Sequence, residues 1–276
     1  MIIAVTGSGG KLGRATVERL RHLGHEVIGL DLAGPAGPGF TRVDLADYGQ
    51  VLDALLGVTA RHSGVDALVH LAAVPVNGLI PDAATFDNNV TASFHVLHAA
   101  YRAGIRRIVT ASSITATGFP FEVAPPSLPL DESVAAAYNT YALGKIAEEA
   151  ISAQLVNWAE GTSITALRFT NVVGADEYAT FERAGEPGYR RDLLGSWIDA
   201  RDGALAVQLA LEHAEPGFEV YNVTHPQSGV ADPSRVVAER WFPGTPVAAD
   251  LGEYESLFSA RKIVVRLGFA PEHDWR

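Results

Sequence analysis

Tyr141 and Lys145 stand four residues apart in Tyr141-Ala142-Leu143-Gly144-Lys145, a segment with helical apolar spacing, so a phenol and an ammonium share one helix face. An ammonium beside a phenol stabilises the phenolate and draws the tyrosine below its usual value of ~10, giving a proton shuttle usable near neutral pH. The chain has only three lysines, Lys11, Lys145 and Lys262, which makes this spacing informative. Tyr138, one turn earlier, faces Ala142 and is the weaker candidate. A second cluster is Thr6-Gly7-Ser8-Gly9-Gly10-Lys11-Leu12-Gly13, between an apolar run and an amphipathic segment. Such a turn offers helix N–H groups and the positive end of the helix dipole to a pyrophosphate, and each glycine removes a Cβ that would obstruct the turn, the ligand or the helix contact. It is not a mononucleotide P-loop, because Leu12 follows Lys11 where Ser or Thr would hold Mg²⁺. Asp31 ends the next apolar run, placed to accept both hydroxyls of an adenosine ribose and to repel a 2′-phosphate. Leu32-Ala33-Gly34 bring no base, which favours NAD over NADP. Ser112 and Ser113 close a later run and can hold a substrate oxygen; Arg168 and Asn171 occupy the same end of the run after it. For Arg168, a strand arginine paired with a carboxylate and a functional role are equally open.

The elements that must position these groups alternate between short apolar runs and longer stretches of 3.6-residue spacing, the signature of parallel βαβ units. Strands are predicted at Ile2–Thr6, Glu26–Asp31, Thr41–Asp44, Asp66–Ala72, Arg107–Ala111, Thr162–Phe169 and Glu219–Val223. Helices are predicted at Lys11–Leu23, Asp47–His62, Asp82–Ala103, Ala135–Trp158, Arg201–His213, Pro233–Trp241 and Ser256–Leu267, with loops at Ala33–Gly39 and the proline-rich Gly118–Pro129. Phe86, Val90, Phe94, Leu97 and Tyr101 form one apolar stripe on the third of these helices. The implied fold is α/β, a Rossmann-type doubly wound parallel sheet with helices on both faces. Residues 1–173 and about 197–223 form the NAD-binding core, and residues 174–196 and 224–276 a small substrate-binding cap.

Composition limits the alternatives. A net charge of −11 and the lack of a basic stripe argue against nucleic acid and acidic membrane surfaces. No cysteine means no disulfide, thiolate nucleophile or cysteine-ligated metal. The N-terminus has no basic n-region, and no apolar run approaches the ~18 residues of a membrane span, which predicts a cytoplasmic protein. His95 and His98 lie three apart without a third ligand, so no metal site is expected. Asp199 and Asp202 suit a helix N-cap and its N3 partner better than a catalytic carboxylate pair. Arg190-Arg191 is a solvated pair or, beside the cleft, a clamp for a substrate carboxylate or phosphate.

Taken together, Thr-Gly-x-x-Gly-x-x-Gly, Asp31, Asp44-Leu45, His70-Leu71-Ala72-Ala73, Asn89-Val90, Ser112-Ser113 and Tyr-x-x-x-Lys resemble the extended short-chain dehydrogenases/reductases, the NAD-dependent epimerase/dehydratase family. Trp197–Ala204, Val220–Val223 and Arg261–Phe269 look like its later segments, so the resemblance covers nearly the whole chain. It implies that Ser113 binds the reacting oxygen, Tyr141 is the general acid/base, and Lys145 binds the nicotinamide ribose and acidifies Tyr141. It further implies cofactor contacts from Gly7, Gly10, Lys11, Leu12, Gly13, Asp31, Asp44, Leu45, Leu71, Ala72 and Ala73, and a structural or relay role for Asn89. Substrate contacts are expected from Ser113, Thr115, Asn171 and Arg191. Thr117 replaces the family's usual tyrosine and Ala92 its glycine, and the segment between Gly174 and Trp197 is short beside those of nucleotide-sugar epimerases.

The resulting expectation is an NAD-dependent oxidoreductase of the epimerase/dehydratase type, with hydride transfer at a hydroxyl or keto carbon of a sugar or sugar-derived substrate. A catalytically silent NAD(H) sensor on the same fold is the alternative, and a structural scaffold is a third reading. A homodimer packed through the striped helix and the Tyr141 helix is the expected assembly.

Overall fold

The computed structural model describes residues 1–34, 37–58 and 61–276. Seven parallel strands form one sheet: β1 (Ile2–Thr6), β2 (Glu26–Asp31), β3 (Phe40–Arg42), β4 (Ala67–His70), β5 (Arg107–Ser113), β6 (Ser163–Phe169) and, after a small parallel pair β7 (Val172–Val173) and β8 (Ile198–Asp199), β9 (Gly217–Val223). Their spatial order is β3-β2-β1-β4-β5-β6-β9. Between β1 and β4 the winding direction reverses, and the strand ends there open a crevice for a ligand.

Side-chain alternation divides the core into two layers. Ile3 and Val5 pack on one face with Leu20 of α1 (Lys11–His22), Val207 and Leu211 of α5 (Ala200–Glu212), and Ile263 and Leu267 of α7 (Arg261–Leu267). Ala4, Ile28 and Leu68 pack on the other with Val51 and Leu55 of α2 (Tyr48–Leu56), Val96 and Leu97 of α3 (Asp82–Arg102), and Leu155 of α4 (Thr140–Leu155). The remaining helix, α6 (Ser234–Trp241), belongs to the smaller lobe.

Several elements depart from expectation for local reasons. The helix expected from Ala135 starts at Thr140, because the Asn139 side chain accepts from Ala142 N at 2.8 Å and Ala136 N is already committed to Ala116 O. The C-terminal helix expected from Ser256 starts at Arg261, since Leu257 N and Ser259 N donate to Leu194 O and Leu130 O and keep that segment extended. The helix expected to reach His62 ends at Leu56, where Gly57 takes φ 150°. Thr59 and Ala60 in that stretch, and Pro35 and Ala36 in the Ala33–Gly39 loop, lie outside the described residues. The polar stretch before Arg191 holds a 3₁₀ segment, Ala175–Arg183.

The core of the smaller lobe draws on residues from both of the expected units. It joins Ile114, Phe121, Leu128 and Leu130 to Leu194, Val237, Trp241 and Phe258, while Ile263, Leu267 and Phe269 go to the sheet instead. The five-residue stripe on α3 is not one face. Leu97 is buried against the sheet, Phe94 is 41% exposed, and Phe86 and Val90 lie within 4 Å of where a Gly144 Cβ would stand. Because α3 packs on the sheet beside α4, it needs apolar residues toward both. No helix among the described residues is long and apolar enough to cross a membrane.

Candidate active site

The glycine-rich turn joins β1 to α1. Gly7 adopts φ 68°, and a Cβ there would lie 2.7 Å from Ala72 N; one on Gly13 would lie 2.0 Å from Gly7 O. Both positions therefore exclude any side chain. No side chain caps the N-terminus of α1 at Gly10, so its first-turn N–H groups face the crevice. Asp31 Oδ2 accepts from Gly9 N at 2.9 Å and Oδ1 from Leu32 N at 2.7 Å, which aims the carboxylate at the turn.

A cleft of about 1160 Å³ runs from this turn across the ends of the strands. Gly7, Gly10, Lys11, Leu12, Gly13 and Asp31 line one end, with Asp44, Leu45, Leu71, Ala72 and Ala73 beside them. Ser113, Thr115, Tyr141 and Asn171 line the other. The Lys11 ammonium is occupied by Val172 O and Glu177, tying the turn to the 3₁₀ segment, so what Lys11 offers a ligand is its backbone. Arg191 is not among the lining residues; it pairs with Asp192, donates to Phe121 O and lies over the Phe242 ring.

Tyr141 and Lys145 meet as their spacing requires. Lys145 Nζ is 5.7 Å from the centre of the Tyr141 ring and donates to Ala111 O and Glu148 Oε2, each at 2.9 Å. Lys145 lies behind Tyr141 and is 3% exposed. The expected acidification is not the net result. Burial pushes the Tyr141 phenol up; the Lys145 charge and the Ser113 hydroxyl pull it down and Glu148 opposes them, so it stays above its ordinary value and holds its proton. Tyr138 is exposed and precedes the helix. Ser113 Oγ accepts from Thr115 N at 3.1 Å, and Thr115 Oγ1 is buried with no hydrogen-bond partner.

Other candidates find structural work. Arg168 makes a two-pronged pair with Glu149 at 2.8 Å per contact, and Asn89 clamps Val74 through both its amide groups. His95 and His98 bond separately to Leu45 O and Tyr48 Oη. Asp199 caps α5, but Asp202 leaves its expected N3 role and accepts from Glu272 N and His273 N. Thr117 donates to Ile114 O.

Arg190, rather than Arg191, borders a side chamber that shares Asn171 and Leu193 with the main cleft. It is nearly buried, donates to Asn171 Oδ1 and Ser196 O, lies between the Phe181 and Tyr189 rings, and pairs with no carboxylate among the described residues. Its Nε has no partner. The dipeptide was legible in the sequence; which arginine turns inward depends on the left-handed conformation of Arg190, φ 57°. Glu148 was not singled out, although a carboxylate three residues beyond Lys145 was a readable signal.

The strand order, the glycine-rich turn at the reversal point and the aspartate at the end of β2 define a doubly wound dinucleotide-binding fold. The chain belongs to the NAD dependent epimerase/dehydratase family, whose model matches residues 3–224. It is 31% identical over 231 residues to a UDP-glucose 4-epimerase of Rhizobium meliloti (strain 1021), covering 81% of this chain and 64% of that one. With a Lacticaseibacillus casei UDP-glucose 4-epimerase the identity is 31% over 190 residues, covering 63% and 53%. The matches thus span half to two thirds of these relatives. Among solved structures, a UDP-glucose 4-epimerase from Bifidobacterium longum in complex with NAD+ and UDP superposes with a TM-score of 0.71 at 21% identity, covering 100% of this chain and 95% of that one. That likeness is one of fold.

Proposed function

We propose that the protein is an NAD-dependent oxidoreductase or epimerase acting at a hydroxyl or keto carbon of a sugar-derived substrate that carries an acidic group. The observation that carries this reading is the single cleft that joins the glycine-rich turn to Ser113 and Tyr141, with Lys145 beneath. The crevice fits a dinucleotide: Gly7 and Gly13 leave room where a Cβ cannot go, and uncapped N–H groups and the Asp31 carboxylate supply complementary partners for a diphosphate and a ribose. When bound, NAD supplies the reversible two-electron acceptor. Similar folds solved with bound NAD or NAD+ support the same choice.

The chain's own residues account for the proton. Tyr141 holds its proton in the ligand-free site. It can donate it to a substrate oxygen held by Ser113, and as phenolate beside the Lys145 ammonium it can take one back. Lys145, held by Ala111 O and Glu148, stabilises that phenolate. Arg190, a nearly buried guanidinium without a carboxylate partner, supplies the counter-charge for an acidic group on the substrate, with Asn171 beside it. Sugar acids and nucleotide sugars both meet that requirement.

The test is a panel of neutral sugars, sugar acids and nucleotide sugars, followed by NADH absorbance and product NMR. Turnover of acidic members over neutral ones is expected; NAD binding without turnover of any member would favour the sensor reading. Dehydrogenation accumulates NADH, whereas epimerisation changes the product without net NADH. Exposed Phe94, Leu143 and Trp158 on and beside α3 and α4 support a homodimer, which light scattering at micromolar concentration would detect and a monomeric mass would refute. A cytoplasmic location accords with NAD as a co-substrate.

A further inference from the structure

Glu148 is a carboxylate that neither cofactor nor substrate binding requires. It sits on α4 three residues beyond Lys145, 5% exposed, with Oε2 2.9 Å from Lys145 Nζ and Oε1 without a hydrogen-bond partner. Two buried groups of this kind are stable as an ion pair only if each offsets the desolvation of the other. The neighbouring carboxylate cannot substitute, because Glu149 is held by both prongs of Arg168 on β6 and by the Ser112 hydroxyl on β5.

We propose that Glu148 is the positioning residue that keeps the buried Lys145 ammonium charged and fixed against Ala111 O, so that its field reaches Tyr141. This rests on the Tyr141–Lys145 reading of the site.

The surroundings of Lys145 leave that role to Glu148. From α4 it faces Tyr141, Glu148 and Glu149; from β4, the buried His70, whose Nε2 is bonded to Ser93 of α3; and from β5, the Ala111 carbonyl. Burial pulls Lys145 down, but Glu148, then Tyr141 and Glu149, outweigh it and raise Lys145 above its ordinary value; burial likewise holds the Glu148 carboxyl above its ordinary value against the pull of Lys145. His70 is held neutral, at about 3, by burial and by the Lys145 charge, so it adds no second positive charge beside the lysine. Glu148 also has a cost: it opposes the pull of Lys145 on the Tyr141 phenol. Its net effect on the pair is positive only because a neutral lysine would exert no pull.

With three lysines in the chain, ¹³Cε-lysine labelling gives three resonances, assigned through Lys11→Arg and Lys262→Arg. The titration is read on the ligand-free protein, so it does not depend on finding a substrate. Lys145 of the unaltered protein should stay charged to pH 10 or above, while Glu148→Gln, which keeps shape, should lower its titration by at least ~1 pH unit. Glu148→Asp should recover part of the shift. The alkaline limb of the turnover profile should move down with it, the outcome a purely structural glutamate would not give. Lys145 discharging near pH 8 in the unaltered protein, or titrating identically in a folded Glu148→Gln variant, would overturn the proposal. If the resonance shifts but no panel substrate turns over, the pairing stands and the oxidoreductase reading is the part that fails.

Discussion

Replacing Gly10 and Gly13 by alanine, one at a time, separates what the glycine-rich turn does for folding from what it does for a ligand. A Cβ on Gly13 would lie 2.0 Å from Gly7 O and 2.9 Å from Ser8 Cα, all backbone, so α1 and the turn would have to part by about 1 Å to reach even 3.0 Å. Overpacking of this kind costs ~1–3 kcal/mol, a fall in Tm of roughly 2–10 °C for a domain of this size. Gly10 differs. Its φ of −71° and ψ of 170° suit any residue, and a Cβ there would approach only Gly7 O, at 3.3 Å. Gly10→Ala should therefore melt within ~0.5 kcal/mol of the parent. Its methyl would nevertheless stand at the uncapped end of α1, and loss of one charge-assisted hydrogen bond there, about 1.5–3 kcal/mol, weakens NAD binding by roughly 10- to 150-fold. Thermal denaturation and calorimetric titration with NAD measure the two quantities. Parent-like NAD affinity in Gly10→Ala, or a parent-like melt in Gly13→Ala, would refute the assigned roles.

Tyr141→Phe should nearly abolish turnover with NAD affinity intact, whereas Lys145→Ala should lower both, and Ser113→Ala should cost on the order of 10²-fold in rate; unchanged turnover in Tyr141→Phe would eliminate the proton shuttle. Asp31 should make NAD bind far more tightly than NADP, and Asp31→Ala should narrow the gap, the more so because Arg42 stands opposite it in register on β3; equal affinities in the parent, by calorimetry, would rule this out. His70 is held down at about 3 by burial and the Lys145 charge. Its contribution to stability is complete above about pH 6.5 and is lost as pH falls toward 3. The unfolding free energy from urea titrations should accordingly decline by about 2–3 kcal/mol between pH 7 and 4.5 on its account, and the decline should flatten in His70→Gln. Identical slopes in parent and variant would show that other groups carry it.

The strand–turn–helix periodicity and the glycine spacing were enough to read the doubly wound sheet, because short-range sterics and burial set both: Gly7 and Gly13 are readable as glycines that nothing larger can replace, and Ile2–Thr6 as a strand buried on both faces. Tyr141 and Lys145 were readable for the same reason, since four residues on a helix fix a shared face. Helix starts were less legible. Thr140 and Arg261 begin helices only because Ala136, Leu257 and Ser259 spend their N–H groups on carbonyls far away in the chain. Electrostatic character was not legible at all at this site. The lysine four residues on predicts an acidified tyrosine, yet burial, which depends on everything packed around α4, reverses the net direction. Likewise the expected substrate contact was Arg191; one left-handed backbone turn and the rings of Phe181 and Tyr189 make Arg190 the nearly buried charge beside the cleft instead. Residue types and local spacing fix which groups are available, while desolvation and long-range pairing, properties of the assembled core, decide which of them carry charge into the site.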